Sequence, residues 1–473
     1  MEIPKKVHFI GICGKGMAGL AIILREKGFV VSGSDEGFYD PLYSYLVEQK
    51  INFIDGYKKE NIPNDVSLII IGKHAKLVTQ TNEEVAAAYE MGVPVKSFPE
   101  VIDDLTKETD NTVVAGSFGK SSCTAFLVWV LLYAKKDPSY FVGALPYNFK
   151  NTAHQGKDKE FILEGDEYPS SNTDATSKFL YYNPKTVLLT SCEHDHINVF
   201  PTPADYLQPF EKLTNLLKDD DLLIKNLNGA NIEEVTKNVI AKQVTYSLSD
   251  EKANYYAGDI SYGEKTAFDL YNNGNKLCTL ETNQLGSYMV ENIVGCSALL
   301  LEKKLVSIEQ LQKACELFLG VAGRMDKKEN TSSVLVYEAF GSSQSKLASS
   351  FEALKLHFPN KKIIALFEPH TFSWRNKNAL SWYTHTFDDA KHVLVFEPPS
   401  HGANNDQLSL DEIVSKIREN HSSVFPFHNS NEGLEILKTI VEKDDIILLV
   451  TSGDLGGIIP QVPKMVEELF RNL

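Results

Sequence analysis

The chain has 473 residues, 43% of them hydrophobic and 23% charged, with a formal net charge of −16. This is globular composition at a length that makes about three folding units, each able to bury its own core. The acidic balance excludes a nucleic-acid-binding surface, and no apolar run approaches the ~20 residues that a membrane span needs.

The N-terminal run Met-Glu-Ile-Pro-Lys-Lys leads straight into a strand without a signal-peptide pattern, and the six cysteines (Cys13, Cys123, Cys192, Cys278, Cys296, Cys315) show no CxxC spacing. Both features predict a cytoplasmic protein with reduced thiols rather than a disulfide or zinc framework. Residues 7–21 read as a strand entering a glycine-rich turn and a small-residue helix, and residues 29–35 as the next strand at βαβ distance. Gly14, Gly16 and Gly19 keep G-x-G-x-x-G spacing, with Asp35 about twenty residues on, the pattern in which glycines admit a pyrophosphate and an acid meets a ribose. The fingerprint does not name its ligand. NAD, another diphosphate-bearing molecule and a plain α/β turn all remain open. Residues 66–72 form another buried parallel strand, residues 93–99 close this unit, and the polar stretch 103–112 places a boundary near residue 108.

Residues 113–127 then give a buried strand, a glycine loop and a helix opening with Lys120 and Ser121. Such an arrangement cradles phosphate. Gly116 and Gly119 let the loop aim N–H groups at phosphate oxygens, the helix N-terminus adds partial positive charge, Lys120 adds a full charge, and the Ser121 hydroxyl suits Mg2+. The full Walker pattern asks for glycine at position 114, where Val114 stands, so an ordinary strand-to-helix turn is the alternative. Lys120 is the only full positive charge in the loop, and nothing adjacent replaces it. Residues 161–168 predict a strand ending in the acids Glu164 and Glu167, and residues 186–196 a strand running into Glu193, Asp195 and His196. Glu164, Glu167, Asp195 and His196 fit as groups around a Mg2+ ion beside the phosphates. Zinc at His194 and His196 would require a cysteine or a third histidine at ligand spacing.

From 245 to 285 the text turns β-like as an elaboration of the central unit, and helical periodicity returns over 289–303 and 307–318. A loop over 320–326 carries Arg324, and the second boundary follows it. The last unit has strands at 334–337, 362–367, 392–396 and 445–450 alternating with helices, another doubly wound sheet. Residues 452–458 follow its late strand, at the edge where such sheets bind ligands.

A glycine-rich anion site, a Gly-Lys-Ser loop opening a second unit and an arginine loop leading into a third together resemble the Mur ligase family over the whole chain. The resemblance implies an α/β protein of three domains: a Rossmann-like UDP-sugar domain over 1–108, a central P-loop ATPase-like domain over 109–326 and a C-terminal Rossmann-like domain over 327–473. It implies an ATP-dependent ligase that uses ATP and Mg2+ to join UDP-N-acetylmuramate to a peptide or amino acid, as a monomer or weak dimer. Gly11, Gly14, Gly16, Met17, Ser34 and Asp35 would meet the UDP-sugar. Gly116, Ser117, Gly119, Lys120, Ser121, Ser122, Asn292 and Arg324 would meet ATP. Ser121, Glu164 and His196 would hold metal, Lys120, Glu164 and His196 would carry catalysis, and His370 and Arg375 would receive the amino substrate.

Residues 143–149, 164–168, 177–184 and 193–196 are similar to the branch of the family that adds the tripeptide L-alanyl-gamma-D-glutamyl-meso-diaminopimelate in peptidoglycan recycling; the branch that adds L-alanine is the next most similar. Departures are concentrated in two places. Gly286-Ser-Tyr-Met-Val-Glu-Asn292 stands where Gly-x-His-Asn-x-x-Asn is expected around the adenine, so only Asn292 survives of its polar side chains. Tyr337-Glu-Ala-Phe-Gly-Ser-Ser-Gln344 stands where Tyr-Asp-Asp-Tyr-Ala-His-His-Pro is expected, losing both histidines and one acid. Lys212 lies near the position of a carbamylated lysine found in some relatives, but out of register.

Overall fold

The computed structural model describes residues 5–37, 42–328, 331–400 and 406–471. Three β-sheets follow one another along the chain, each flanked by helices. The first has five parallel strands in the order Asn52–Asp55, Val30–Asp35, Lys6–Ile10, Leu68–Ile71, Val95–Ser97. Its chain order reverses direction at Lys6–Ile10, and the glycine turn leaves the carboxyl end of that strand, where open α/β sheets take their ligands. Phe9 and Ile10 are fully buried, as expected of a strand covered on both faces.

The second sheet has ten strands. Asp110–Ala115 lies at its heart between Glu160–Glu164 and Thr186–Leu189, all parallel, so three carboxyl ends converge on one edge. The β-like stretch is the expected elaboration: Tyr255–Tyr262, Thr266–Asn272 and Asn275–Thr282 form an antiparallel meander that extends the same sheet. The helix Lys120–Tyr133 is apolar nearly all round because it is sandwiched between this sheet and the helices Ser287–Glu302 and Ile308–Glu316. Phe126, Leu127, Val130 and Leu131 are buried there, each stabilising the fold by about 1.5–3 kcal/mol, so the helix start is held rigidly in place.

The third sheet has six strands in the order Arg324–Lys327, Leu335–Phe340, Ile446–Thr451, Ile363–Phe367, Ala390–Phe396, Val424–Phe427. The first is an antiparallel edge and the rest are parallel. Arg324–Lys327 therefore belongs to the third sheet although it straddles the expected junction at 326. The chain reaches it through Gly320 and Gly323, both at positive φ, and Met325 also adopts φ 50°. His357, on the helix Gln344–His357, ties the third unit to the second by hydrogen bonds with Gly263 O at 2.8 Å and Gly286 N at 3.2 Å.

Candidate active site

The loop after Asp110–Ala115 needs its glycines for space as well as for conformation. Gly116 has φ 138° and Gly119 φ 76°, and a Cβ would stand 2.1 Å from Thr190 Oγ1 at the first and 2.5 Å from Asn292 Oδ1 at the second. Thr190 Oγ1 donates to Phe118 O at 2.6 Å, Ser117 Oγ donates to Glu193 O at 2.6 Å, and Tyr206 OH donates to Ser117 Oγ at 3.0 Å. The next strand of the sheet thus clamps the cradle. Ser117 spends both its hydroxyl and its main-chain N–H, which donates to Ser191 O at 2.8 Å, on that clamp, and Ser122 is buried.

Lys120 Nζ donates to Gly116 O at 2.6 Å and to Glu167 Oε2 at 3.0 Å. Burial alone would depress the lysine, yet Glu167, with Asp166 and Glu164 beyond it, holds its pKa above the ordinary value. Burial would raise Glu167, but Lys120 and His196 together bring it down to about 2. Ser121 Oγ donates to Glu164 Oε1 at 2.8 Å, and Gly143 N donates to Glu164 Oε2 at 2.6 Å. Burial outweighs both bonds and leaves Glu164 with a raised pKa. The serine hydroxyl and carboxylate at a helix start form a hard-oxygen pair that fits Mg2+. No group of three His, Cys, Asp or Glu side chains is arranged to hold a metal among the described residues, so an ion here would complete its shell with phosphate oxygens and water.

His196 does not join Ser121 and Glu164. Its Nε2 lies 3.2 Å from Glu167 Oε1 and its Nδ1 2.9 Å from Tyr168 OH, and it is held at φ 56°. A non-glycine residue in the left-handed region costs of order 1–3 kcal/mol and persists where the surroundings impose it. Lys212 lies on the outer face of the helix Pro203–Thr214, exposed and bonded to Gln208 at 3.0 Å, away from the cradle.

A cavity of about 800 Å³ opens over the cradle, between the second and third units. Tyr288, Asn292, Asn226 and Asn228 line it on one side, and Arg324, Phe340, Ser342, Lys346 and Ser452 on the other. Asn292 packs its carboxamide against Gly119, so it braces the cradle turn. Arg324 lies over the ring of Phe340 at 3.9 Å and faces Glu164 and Glu338 electrostatically.

Lys346 is a second lysine at the cradle that the sequence analysis did not single out. Its Nζ lies 3.0 Å from Asp195 Oδ2 and 5.3 Å from the centre of the Phe118 ring, inside the cradle loop. It comes from a helix of the third unit, so no local motif announced it. Asp195 is held charged by this pair, whereas burial and the neighbouring Lys120 outweigh Asp195 at Lys346 and lower the lysine. The 3.0 Å contact is that of an ion pair.

The last unit's expected residues sit elsewhere. Arg375 is 8% exposed and donates to Pro399 O at 2.8 Å, while His370 Nδ1 pairs with Glu368 Oε1 at 3.0 Å. Neither lines the cavity, although their neighbours Thr371, Phe372 and Ser373 do.

In the first unit Gly11 has φ 86°, and Gly14 caps the helix Lys15–Glu26 without any side-chain bond. The N–H groups that open this helix suit a diphosphate. Met17 and Ser34 point inward, Ser34 Oγ donating to Glu84 Oε1 at 2.8 Å, so their side chains serve the core. Asp35 Oδ2 accepts from Cys13 N at 2.6 Å and Oδ1 from Tyr57 OH at 2.8 Å, which holds the turn in shape. Gly16 packs against Phe98, and a Cβ at Gly19 would stand 2.6 Å from Phe141 of the second unit, so the last fingerprint glycine serves a contact between units.

Residues 6–109 match the model of the Mur ligase family, catalytic domain, and residues 114–300 match the Mur ligase middle domain. The chain belongs to the Mur ligase family. It is an ATP-dependent acid–amino-acid ligase on the three-domain α/β fold of that family. The UDP-N-acetylmuramate–L-alanine ligase of Clostridium tetani is 27% identical over 461 residues, covering 96% of this chain and 97% of that protein. The UDP-N-acetylmuramate–L-alanyl-gamma-D-glutamyl-meso-2,6-diaminoheptandioate ligase of Escherichia coli is 25% identical over 460 residues, covering 96% of each. Among solved structures, UDP-N-acetylmuramate-alanine ligase from Thermotoga maritima superposes with a TM-score of 0.78 at 21% identity, covering 98% of both chains. No described helix of this Mur ligase is long and apolar enough to cross a membrane.

Proposed function

We propose that this Mur ligase uses ATP and Mg2+ to join UDP-N-acetylmuramate to the tripeptide L-alanyl-gamma-D-glutamyl-meso-diaminopimelate. The observation that carries the reading is the convergence, in one cavity, of Lys120, the Ser121–Glu164 oxygen pair and Arg324. Phosphorylating a carboxylate brings two anions together, and a cradle with fixed cations offsets that repulsion by several kcal/mol. Lys120 holds the terminal phosphates, Arg324 meets them from the third unit, and Ser121 and Glu164 hold Mg2+, with His196 toward a second metal position. The ion, when bound, supplies positive charge to the transferred phosphoryl group. UDP-N-acetylmuramate is assigned to residues 1–108, ATP to 109–326 and the amino substrate to 327–473. In this scheme the muramoyl carboxylate takes the phosphoryl group from ATP, and the amine then attacks the acyl phosphate and displaces phosphate.

The tripeptide is favoured by the sequence similarity of residues 143–149 and 177–184 to the recycling branch, and by Tyr168, which that branch's segment places on the cavity wall against His196. L-alanine is the second reading, favoured by the alanine ligase at 27% identity. Phosphate release with UDP-N-acetylmuramate, ATP and Mg2+, comparing the two acceptors, decides between them. We expect kcat/KM for the tripeptide to exceed that for L-alanine by at least ~30-fold, since groups that would pair with the tripeptide's additional carboxylates would stay unpaired around free alanine at a cost of about 2 kcal/mol. Turnover with L-alanine and none with the tripeptide would transfer the assignment. No nucleotide-dependent phosphate release with either would end the ligase reading of this site.

A further inference from the structure

Lys346 lies in the first turn of the third-unit helix Gln344–His357, whose N-cap Ser343 makes no side-chain bond to the helix start. Its ammonium is thrown across the gap between units. It donates to Ser342 Oγ at 2.7 Å on its own side and to Asp195 Oδ2 at 3.0 Å on the other, and it faces the rings of Phe118 at 5.3 Å and Phe340 at 6.0 Å. Phe118 lies in the cradle loop itself, between Ser117 and Gly119. Lys120 emerges from the same loop, close enough for the two ammonium groups to repel. The side chain of Lys346 is only 20% exposed. A buried lysine opposite another lysine loses electrostatic energy unless anions offset it; Asp195 is bonded to Lys346 and Glu167, paired with Lys120, attracts it from farther off, while the cavity that both lysines line has room for a further anion. Lys346 Nζ is bonded to Ser342 Oγ, so it delivers its charge into the space that residue 342 faces. That is a place where histidines are expected and this chain has serines.

We propose that Lys346 is a catalytic residue of the ligation, binding an oxygen of the phosphoryl group in transfer from the side opposite Lys120. In that step a carboxylate oxygen forms a bond to the terminal phosphorus of ATP, the bond from phosphorus to the bridging oxygen breaks, and ADP leaves with the electron pair. Lys346 neither gains nor loses a proton. It balances charge that spreads over the non-bridging oxygens as the bonds change. Because it arrives from the third unit while Lys120 belongs to the second, the full set of cations is complete only with the units closed.

The inference rests on the ligase reading above, and the test separates the two. Phosphate release and ¹⁸O positional exchange in ATP are measured with UDP-N-acetylmuramate and Mg2+ for the wild type, Lys346→Met, Lys346→Arg and the double variant Lys346→Met with Asp195→Asn. ATP affinity and Tm are measured in parallel. We expect Lys346→Met to lower kcat and the exchange rate by about 10²–10³-fold with ATP affinity within about threefold. Lys346→Arg should recover at least about tenfold of that loss, and the double variant should be no faster than Lys346→Met. A wild-type rate in Lys346→Met overturns the role of Lys346 and leaves the ligase reading intact. Recovery in the double variant also overturns it, making the lysine a partner for Asp195 only. If Lys346→Met does not fold, Lys346→Gln is read in its place: a fall of at least about tenfold in kcat and exchange with ATP affinity within about threefold sustains the proposal, and a wild-type rate overturns it. A wild type inert with both acceptors removes the ligase reading and this inference with it.

Discussion

Lys120 and Glu167 form a 3.0 Å ion pair in which the lysine side chain is 17% exposed and the carboxylate 1% exposed. The lysine that the cradle needs for phosphate is therefore also the main counter-charge of a buried acid. Lys120→Met is expected to abolish turnover, and also to destabilise the protein by about 3–5 kcal/mol, the usual result of stranding a buried charge. The pH dependence carries a sign. In the wild type Glu167 is depressed to about 2, so the pair's stabilisation is fully present above the ordinary carboxylate range and is lost as pH falls from there toward 2. In the variant burial is less opposed and Glu167 moves up. The difference in Tm between wild type and Lys120→Met should be largest near neutral pH and shrink on acidification; a difference independent of pH would mean that Glu167 does not depend on Lys120.

Glu164 is expected to behave in the opposite sense. Its pKa is raised by burial, so protons compete with Mg2+ for its oxygens at pH values above the normal carboxylate range. The Mg2+ concentration for half-maximal rate should rise as pH falls through that raised value. Glu164→Gln should raise the requirement by on the order of 10–100-fold and flatten its pH dependence, with excess Mg2+ restoring part of the rate. Magnesium titrations at several pH values check this, and equal midpoints in wild type and variant would remove Glu164 from the metal.

Much of this site was legible because its parts are local. Gly116 to Ser122 lie within seven consecutive positions, and Glu164 follows from the rule that parallel strands present their carboxyl ends to one edge. Two features escaped. Which of two acids three residues apart pairs with Lys120 and which with Ser121 depends on how residues 164–168 leave the strand, not on spacing. Lys346 is on a helix of the third unit, and only the packing of that unit against the second puts it over Phe118. Arg375 lies outside the cavity for a related reason: an arginine is charged wherever it sits, and its burial against Pro399 is a tertiary fact.

Gly19 separates two meanings of the glycine fingerprint. A ligand-facing glycine would tolerate alanine structurally and lose UDP-sugar affinity, whereas a Cβ at Gly19 would stand 2.6 Å from Phe141 Cε2 and 3.1 Å from Ala153 Cβ. Gly19→Ala is therefore expected to cost about 1–3 kcal/mol of stability through overpacking between the first and second units. A thermal melt together with UDP-N-acetylmuramate titration reads both. Unchanged Tm with weakened sugar binding would return Gly19 to the ligand.

The nucleobase end of the cavity leads to the last expectation. Tyr288 offers a ring to stack on, and stacking is worth about 1–3 kcal/mol per base while being nearly blind to which base it is. Asn292, the one polar side chain kept from the family's adenine pattern, is packed against Gly119 and donates from Nδ2 to Met289 Sδ at 3.7 Å. Discrimination between purines comes from hydrogen bonds that one base satisfies and the other leaves unmade, at about 1–3 kcal/mol for each lost contact. With so little dedicated to reading the base edge, kcat/KM for ATP should exceed that for GTP by only some tens-fold. Tyr288→Ala should weaken both nucleotides alike, leaving that ratio within about threefold of wild type. A wild-type preference of several thousand-fold would sink this account and turn attention to Asn226, Asn228 and Glu291, the polar side chains that line the same end.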